Sequence, residues 1–218
     1  MKSRQLHRIL QGNHAALQAV EGNLLSAAAG TIVKSIYVTS ARPGEGRTTA
    51  AVSIASGLNA DGRRRVVIVD GCPGAPELHE AFGVEREPGW TDLVLLRSAL
   101  PDVLRPTQVA NLSVIPCGAN GSGSPDAYET EAFSKALWKV RDAADYIVFD
   151  GEPALTSSHA PLLAGKFDGV VFAVECGKTK WQVLDLARDK IERVGGKVLG
   201  VVLNKRKYHV PRLLYGKV

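Results

Sequence analysis

Six short runs rich in β-branched residues, alternating with helical or turn-forming stretches, limit the folds open to this chain more than any other feature. The runs are residues 35–39, 66–70, 112–115, 146–150, 169–174 and 198–203. Between them, apolar spacing predicts helices over 47–58, 128–143 and 180–194. Strands that alternate with helices form βαβ units, and their nearly continuous apolar character suits a sheet covered on both faces. The expected class is therefore α/β, a mostly parallel sheet with helices on both sides. Residues 31–204 would make one domain. A helical segment over 1–30 precedes it, with Leu6, Ile9, Leu10, Leu17, Val20 and Leu24 at helical spacing, and a basic tail over 205–218 completes the chain.

Three segments carry candidate chemistry. The first strand runs directly into SARPGEGRTT, residues 40–49, which opens a helix. A glycine-rich turn between a strand and a helix lets backbone N–H groups converge on phosphate, and the helix N-terminus adds a favourable dipole. Pro43, Gly44, Glu45, Gly46, Arg47, Thr48 and Thr49 are the candidate phosphate-binding residues, with Thr48 placed to reach Mg²⁺. The string departs from GxxxxGK[ST] at two points, Ala41 for the first glycine and Arg47 for the lysine. A simple Gly-Pro turn at a helix start is the alternative; the strand-to-helix setting favours phosphate. The other two segments, VVIVD and YIVFD, each end an apolar strand on a carboxylate, Asp70 and Asp150. Carboxylates at the C-terminal tips of parallel strands point into the ligand crevice of such sheets, where they would hold Mg²⁺. Strand-tip aspartates also cap turns, so the case rests on loop, Asp70 and Asp150 converging.

The remaining composition narrows the classes. Hydrophobic residues make up 45% and charged residues 22% of the 218, an ordinary globular balance. No apolar run approaches the roughly 20 residues of a membrane span and no secretory pattern opens the chain, so an intracellular protein is expected. Cys72, Cys117 and Cys176 show neither CxxC pairing nor a disulfide framework, and read as reduced thiols. The net charge of +5 gathers at Arg63, Arg64 and Arg65 and at the C-terminal end. No base-stacking aromatics accompany either cluster, so nucleic acid is not an expected partner. The tail KRKYHVPRLLYGKV mixes basic and apolar groups, which suits a solvated end, a partner, or peripheral contact with an anionic membrane.

In order and spacing, these segments resemble the cytoplasmic domain of the bacterial tyrosine kinases of capsule and exopolysaccharide synthesis, within the MinD/ParA-like P-loop ATPases. SARPGEGRTT matches the first Walker segment, IVDGCPGAPELHEAFG the second and IVFDGEP Walker B; FDGVVFAVECGKTKWQVLDLA and VLGVVLNKRKY match the last βαβ unit. The resemblance implies ATP or ADP with Mg²⁺ as cofactors. It implies Asp70 and Arg47 as catalytic groups, Thr48, Asp70 and Asp150 on the metal side, and Asn204 beside the base. Tyr208 and Tyr215 become the candidate phosphoacceptors, and a membrane polysaccharide co-polymerase at the cytoplasmic face becomes the partner. Several departures strike these very features. Arg47 replaces the lysine, Cys72 and Gly74 stand where a second aspartate and an arginine belong, and His159 replaces an aspartate. The oligomerisation motif E-x-x-R-x-x-R reads Glu21, Leu24, Ala27, although an apolar helix stripe could still pair two copies as a homodimer. Arg42 holds the position of the signature lysine of partition ATPases. The expected function is a nucleotide-binding, kinase-like regulator with weakened or absent transfer. The alternatives are a scaffold that binds a partner without nucleotide, or a dimeric partition-like ATPase.

Overall fold

The structure is a computed structural model that describes Gly22, Ser26 and residues 32–119 and 131–205. Most of the segment over 1–30, most of the loop at 118–125, and the tail with Tyr208 and Tyr215 therefore lie outside the described residues.

In chain order the elements are β1 (Ser35–Ser40), α1 (Arg47–Leu58), β2 (Val66–Asp70), α2 (Leu78–Phe82), α3 (Trp90–Val94), α4 (Leu100–Val103), β3 (Arg105–Pro106) and β4 (Leu112–Ile115). Then come α5 (Glu131–Ala143), β5 (Tyr146–Asp150), α6 (His159–Ala164), β6 (Gly169–Glu175), α7 (Trp181–Glu192) and β7 (Val198–Asn204). The strands form one seven-stranded sheet in the order β3-β4-β2-β5-β1-β6-β7. All pairs are parallel except β3 with β4. The predicted α/β class holds. The antiparallel β3 is a two-residue edge strand, the place where Pro106, with no N–H to donate, costs no ladder bond.

Alternation along each strand sorts the core into two layers. Ile36, Val38, Val66, Ile68, Val114, Val148 and Val171 face α1 and α2, packing with Ala51, Ile54, Leu58 and Leu78. Tyr37, Val67, Val69, Ile147, Phe149 and Phe172 face the other way, against Trp90, Phe133, Leu163, Ala187 and Ile191 of α3, α5, α6 and α7. Phe149 is the centre of that second layer, with edge-on contacts to Trp90 and Phe133 and a stacked one to Tyr37. Such aromatic pairs add about 0.5–1.5 kcal/mol each beyond area burial, so they fix β5 and with it Asp150. Among the described residues no helix is long and apolar enough to cross a membrane.

Candidate functional site

The sheet order places β5 between β1 and β2, so the loop after β1 and both strand-tip aspartates meet at one edge. Asp70 and Asp150 are paired in register, and Val38, two residues before the end of β1, pairs with Asp150 from the other side. Each aspartate is followed by glycine for a steric reason. A Cβ on Gly71 would lie 1.8 Å from the Phe149 ring, and one on Gly151 would lie 2.1 Å from the Tyr37 ring. The aromatic core thus presses directly on the floor of the site.

The glycine loop leads into the N-terminus of α1. Gly46 is the N-cap with φ 92°, a left-handed conformation that glycine adopts without strain, and as a glycine it offers the helix no side-chain cap hydrogen bond. Several groups hold the loop in place. The Asn204 amide donates to the Glu45 carbonyl at 3.1 Å, passing over Gly46 so closely that a Cβ there would lie 1.7 Å from it. Lys205 Nζ donates to the Gly44 carbonyl at 2.6 Å and pairs with Glu175 at 3.2 Å. Buried Glu45 accepts from the Arg42 N–H at 3.0 Å and from the Thr179 hydroxyl. Arg42 itself is exposed. An open cavity of about 380 Å³ borders the outer side of the loop, between Arg42, Pro43 and Glu45 and the β6–α7 turn at Glu175, Lys178 and Thr179.

The two aspartates have different surroundings. Both oxygens of Asp70 are engaged by the stretch of chain just beyond it: Oδ1 accepts from the Cys72 N–H at 3.3 Å, and Oδ2 from Glu77 and Leu78 N–H at 3.0 Å each. Asp150 is 2% exposed; the Thr48 hydroxyl donates to its carboxylate, and its Oδ1 has no hydrogen-bond partner among the described residues. Burial raises its pKa to about 7, with Asp70 adding to the rise while Arg47 and Thr48 oppose it.

Arg47 is half-buried and turns into the same crevice. Its guanidinium donates to the Gly151 carbonyl and lies 3.6–3.7 Å from the Cys72 sulfur. Burial works against its charge, yet Asp150 and then Cys72 more than offset that and hold its pKa above the ordinary arginine value. Cys72 is 5% exposed, and burial pushes its thiol pKa up, so no thiolate is presented. As for a metal, Thr48 donates to Asp150, both Asp70 oxygens accept backbone N–H groups, and the Arg47 guanidinium is held at the Gly151 carbonyl, next to Asp150. Among the described residues no group of three or more His, Cys, Asp or Glu gathers to hold an ion. The described donors thus form no all-protein cage for Mg²⁺; Thr48 and Asp150 would supply protein ligands only beside phosphate and water.

The predicted loop residues, Asp70, Asp150 and Asn204 all reach this one edge. His159 is apart from it, opening α6, where the Ser157 hydroxyl accepts its backbone N–H at 3.2 Å. Two contributors escaped the sequence argument, Lys205 and Thr179, each tied to the loop from more than 130 positions away in the chain. Only the position of Lys205, next to Asn204, offered a signal.

A family model described as an AAA domain matches residues 33–196. Tyrosine-protein kinase YwqD of Bacillus subtilis is 26% identical over 195 residues, covering 89% of this chain and 82% of that protein. The chimerical protein CapA2B2 superposes with a TM-score of 0.81 at 26% identity, over 88% of this chain and 84% of that one. The kinase domain of Escherichia coli tyrosine kinase ETK gives 0.82 at 20% identity, over 91% and 78%. The resemblance to bacterial tyrosine kinases drawn from the motifs holds.

Proposed function

The chain belongs to the AAA domain family, and on that premise we propose that it is a nucleotide-binding, tyrosine-kinase-like regulator of exopolysaccharide or capsule assembly, with weakened or absent phosphoryl transfer. One observation carries the nucleotide part: the N-terminus of α1, entered through left-handed Gly46, which offers no side-chain cap, beside the strand tips of β2 and β5. Backbone donors and helix dipole in that arrangement favour a phosphate, and the neighbouring cavity leaves room for the rest of ATP or ADP.

The weak transfer rests on three positions. Cys72 supplies no second carboxylate, Gly74 no guanidinium, and the Asp70 oxygens are bound by backbone N–H groups instead of being presented to a tyrosine hydroxyl. Transition-state stabilisation by positioned charges is commonly worth about a hundredfold or more per group, so such losses are severe. The polysaccharide role, a membrane co-polymerase as partner and a cytoplasmic location follow from the kinase resemblance alone.

Calorimetric titration with ADP tests the proposal. Saturable binding is expected, and Gly46→Val should abolish it, because the new side chain strikes Asn204 and the phosphate path together. Absence of heat at millimolar ADP would leave a partner-binding scaffold as the function.

A further inference from the structure

The first residue of α1 is normally asked to do one thing in a phosphate loop, to meet the phosphates as a point charge. Arg47 does something else. Its guanidinium crosses the crevice to the Gly151 carbonyl and the Cys72 sulfur, under the field of Asp150. We propose that the Arg47 guanidinium is the resident cation of the nucleotide site, seated between the tips of β2 and β5 where a divalent ion would otherwise bridge protein and phosphate, so that nucleotide binds without Mg²⁺. The inference rests on the nucleotide-binding function proposed above and adds how that site balances charge.

Four features converge on it. The guanidinium is held at the Gly151 carbonyl, next to the carboxylate that a metal would face, and Asp150 Oδ1 has no hydrogen-bond partner among the described residues. Asp70 is withdrawn from ion binding by three backbone N–H groups. Cys72 is a neutral neighbour of suitable size: a carboxylate there would bond the guanidinium tightly and add the negative charge that calls for a metal. Lastly, arginine suits the task by its chemistry. Its planar fork has five donors, so it can keep Gly151 and still offer a bidentate face to phosphate oxygens, and it is less strongly hydrated than an ammonium. A lysine at this place has no planar fork to span Gly151 and the phosphate together, and would leave the crevice in need of a second cation.

The test titrates the purified chain with a fluorescent ADP analogue in excess Mg²⁺ and in EDTA, and repeats both for Arg47→Lys and Cys72→Asp. For the parent chain, the two dissociation constants should agree within about threefold, well under 1.4 kcal/mol. Each variant, checked for folding by circular dichroism, should become Mg²⁺-dependent, weakening about tenfold or more in EDTA. Loss of parent binding in EDTA overturns the proposal, as does a folded Arg47→Lys variant that ignores Mg²⁺. No binding by the parent in either buffer refutes the nucleotide function itself, and this inference with it; the two failures are thus distinct.

Discussion

Replacing Asp70 separates a structural carboxylate from a catalytic one. The side chain is fully buried and accepts three backbone N–H groups, two of them at 3.0 Å from the start of α2. Asp70→Ala strands those donors. A buried donor left unpaired costs about 1–3 kcal/mol, and the longer Cys72 contact of 3.3 Å adds little. Relief of the buried carboxylate, whose pKa burial already raises, offsets part of the cost. The net loss is then about 3 kcal/mol. For a domain of this size that is about 6–12 °C in melting temperature. Asp70→Asn keeps one oxygen for the two stronger donors and should lose under about 4 °C. Thermal unfolding by circular dichroism, run beside ADP titration, reads both roles. If Asp70→Ala melts within about 2 °C of the parent yet loses nucleotide, the carboxylate serves the ligand and not the turn.

Asp150 should make stability fall as pH rises. Its folded pKa, about 7, lies above the unfolded value of 3.8, so the native state binds the proton more tightly. The resulting stability is fully present below the unfolded pKa and is lost as pH climbs through about 7, at up to about 1.4 kcal/mol per pH unit between the two. Asp150→Asn should flatten that slope and raise the melting temperature at pH 8; a variant with the parent's slope would assign it to other groups. Incubation with labelled ATP followed by mass spectrometry should find no substantial phosphate on Tyr208 or Tyr215, and robust labelling of either would show that Cys72 and Gly74 do not limit transfer.

Much of the fold was legible because the strands are buried on both faces and their runs are bounded by polar or turn residues. Residues 66–70, 112–115 and 146–150 coincide with β2, β4 and β5, and 47–58 with α1. Helices α2 and α4 were missed since five and four residues give periodicity too few turns to register. Strand β3 was missed because two residues carry no alternation, and its proline argues against a ladder. At the other edge, β7 was expected from its apolar run. That run stands partly in the open, with Leu203 63% exposed, since among the described residues β7 is an edge strand with a strand neighbour on one side alone.

The site was legible in position but not in role. VVIVD and YIVFD give the same signal, four apolar residues and an aspartate, and the structure brings both to one edge in register. The path of the chain beyond each aspartate makes the difference. After Asp70 the chain turns back within eight residues and delivers the Glu77 and Leu78 N–H groups to its carboxylate, which becomes the brace of α2. After Asp150 the chain leads away, with Ser157 satisfying the start of α6, and among the described residues no backbone donor returns to Asp150 Oδ1. The carboxylate is left to Thr48 and the guanidinium of Arg47, two groups of the phosphate loop itself. A carboxylate saturated by its own backbone is indifferent to what enters the crevice. One balanced by a long side chain and a hydroxyl responds to any phosphate that draws those groups away. Sensitivity to ligand therefore concentrates on Asp150 and Arg47, and substitutions there should change binding more than those at Asp70 do.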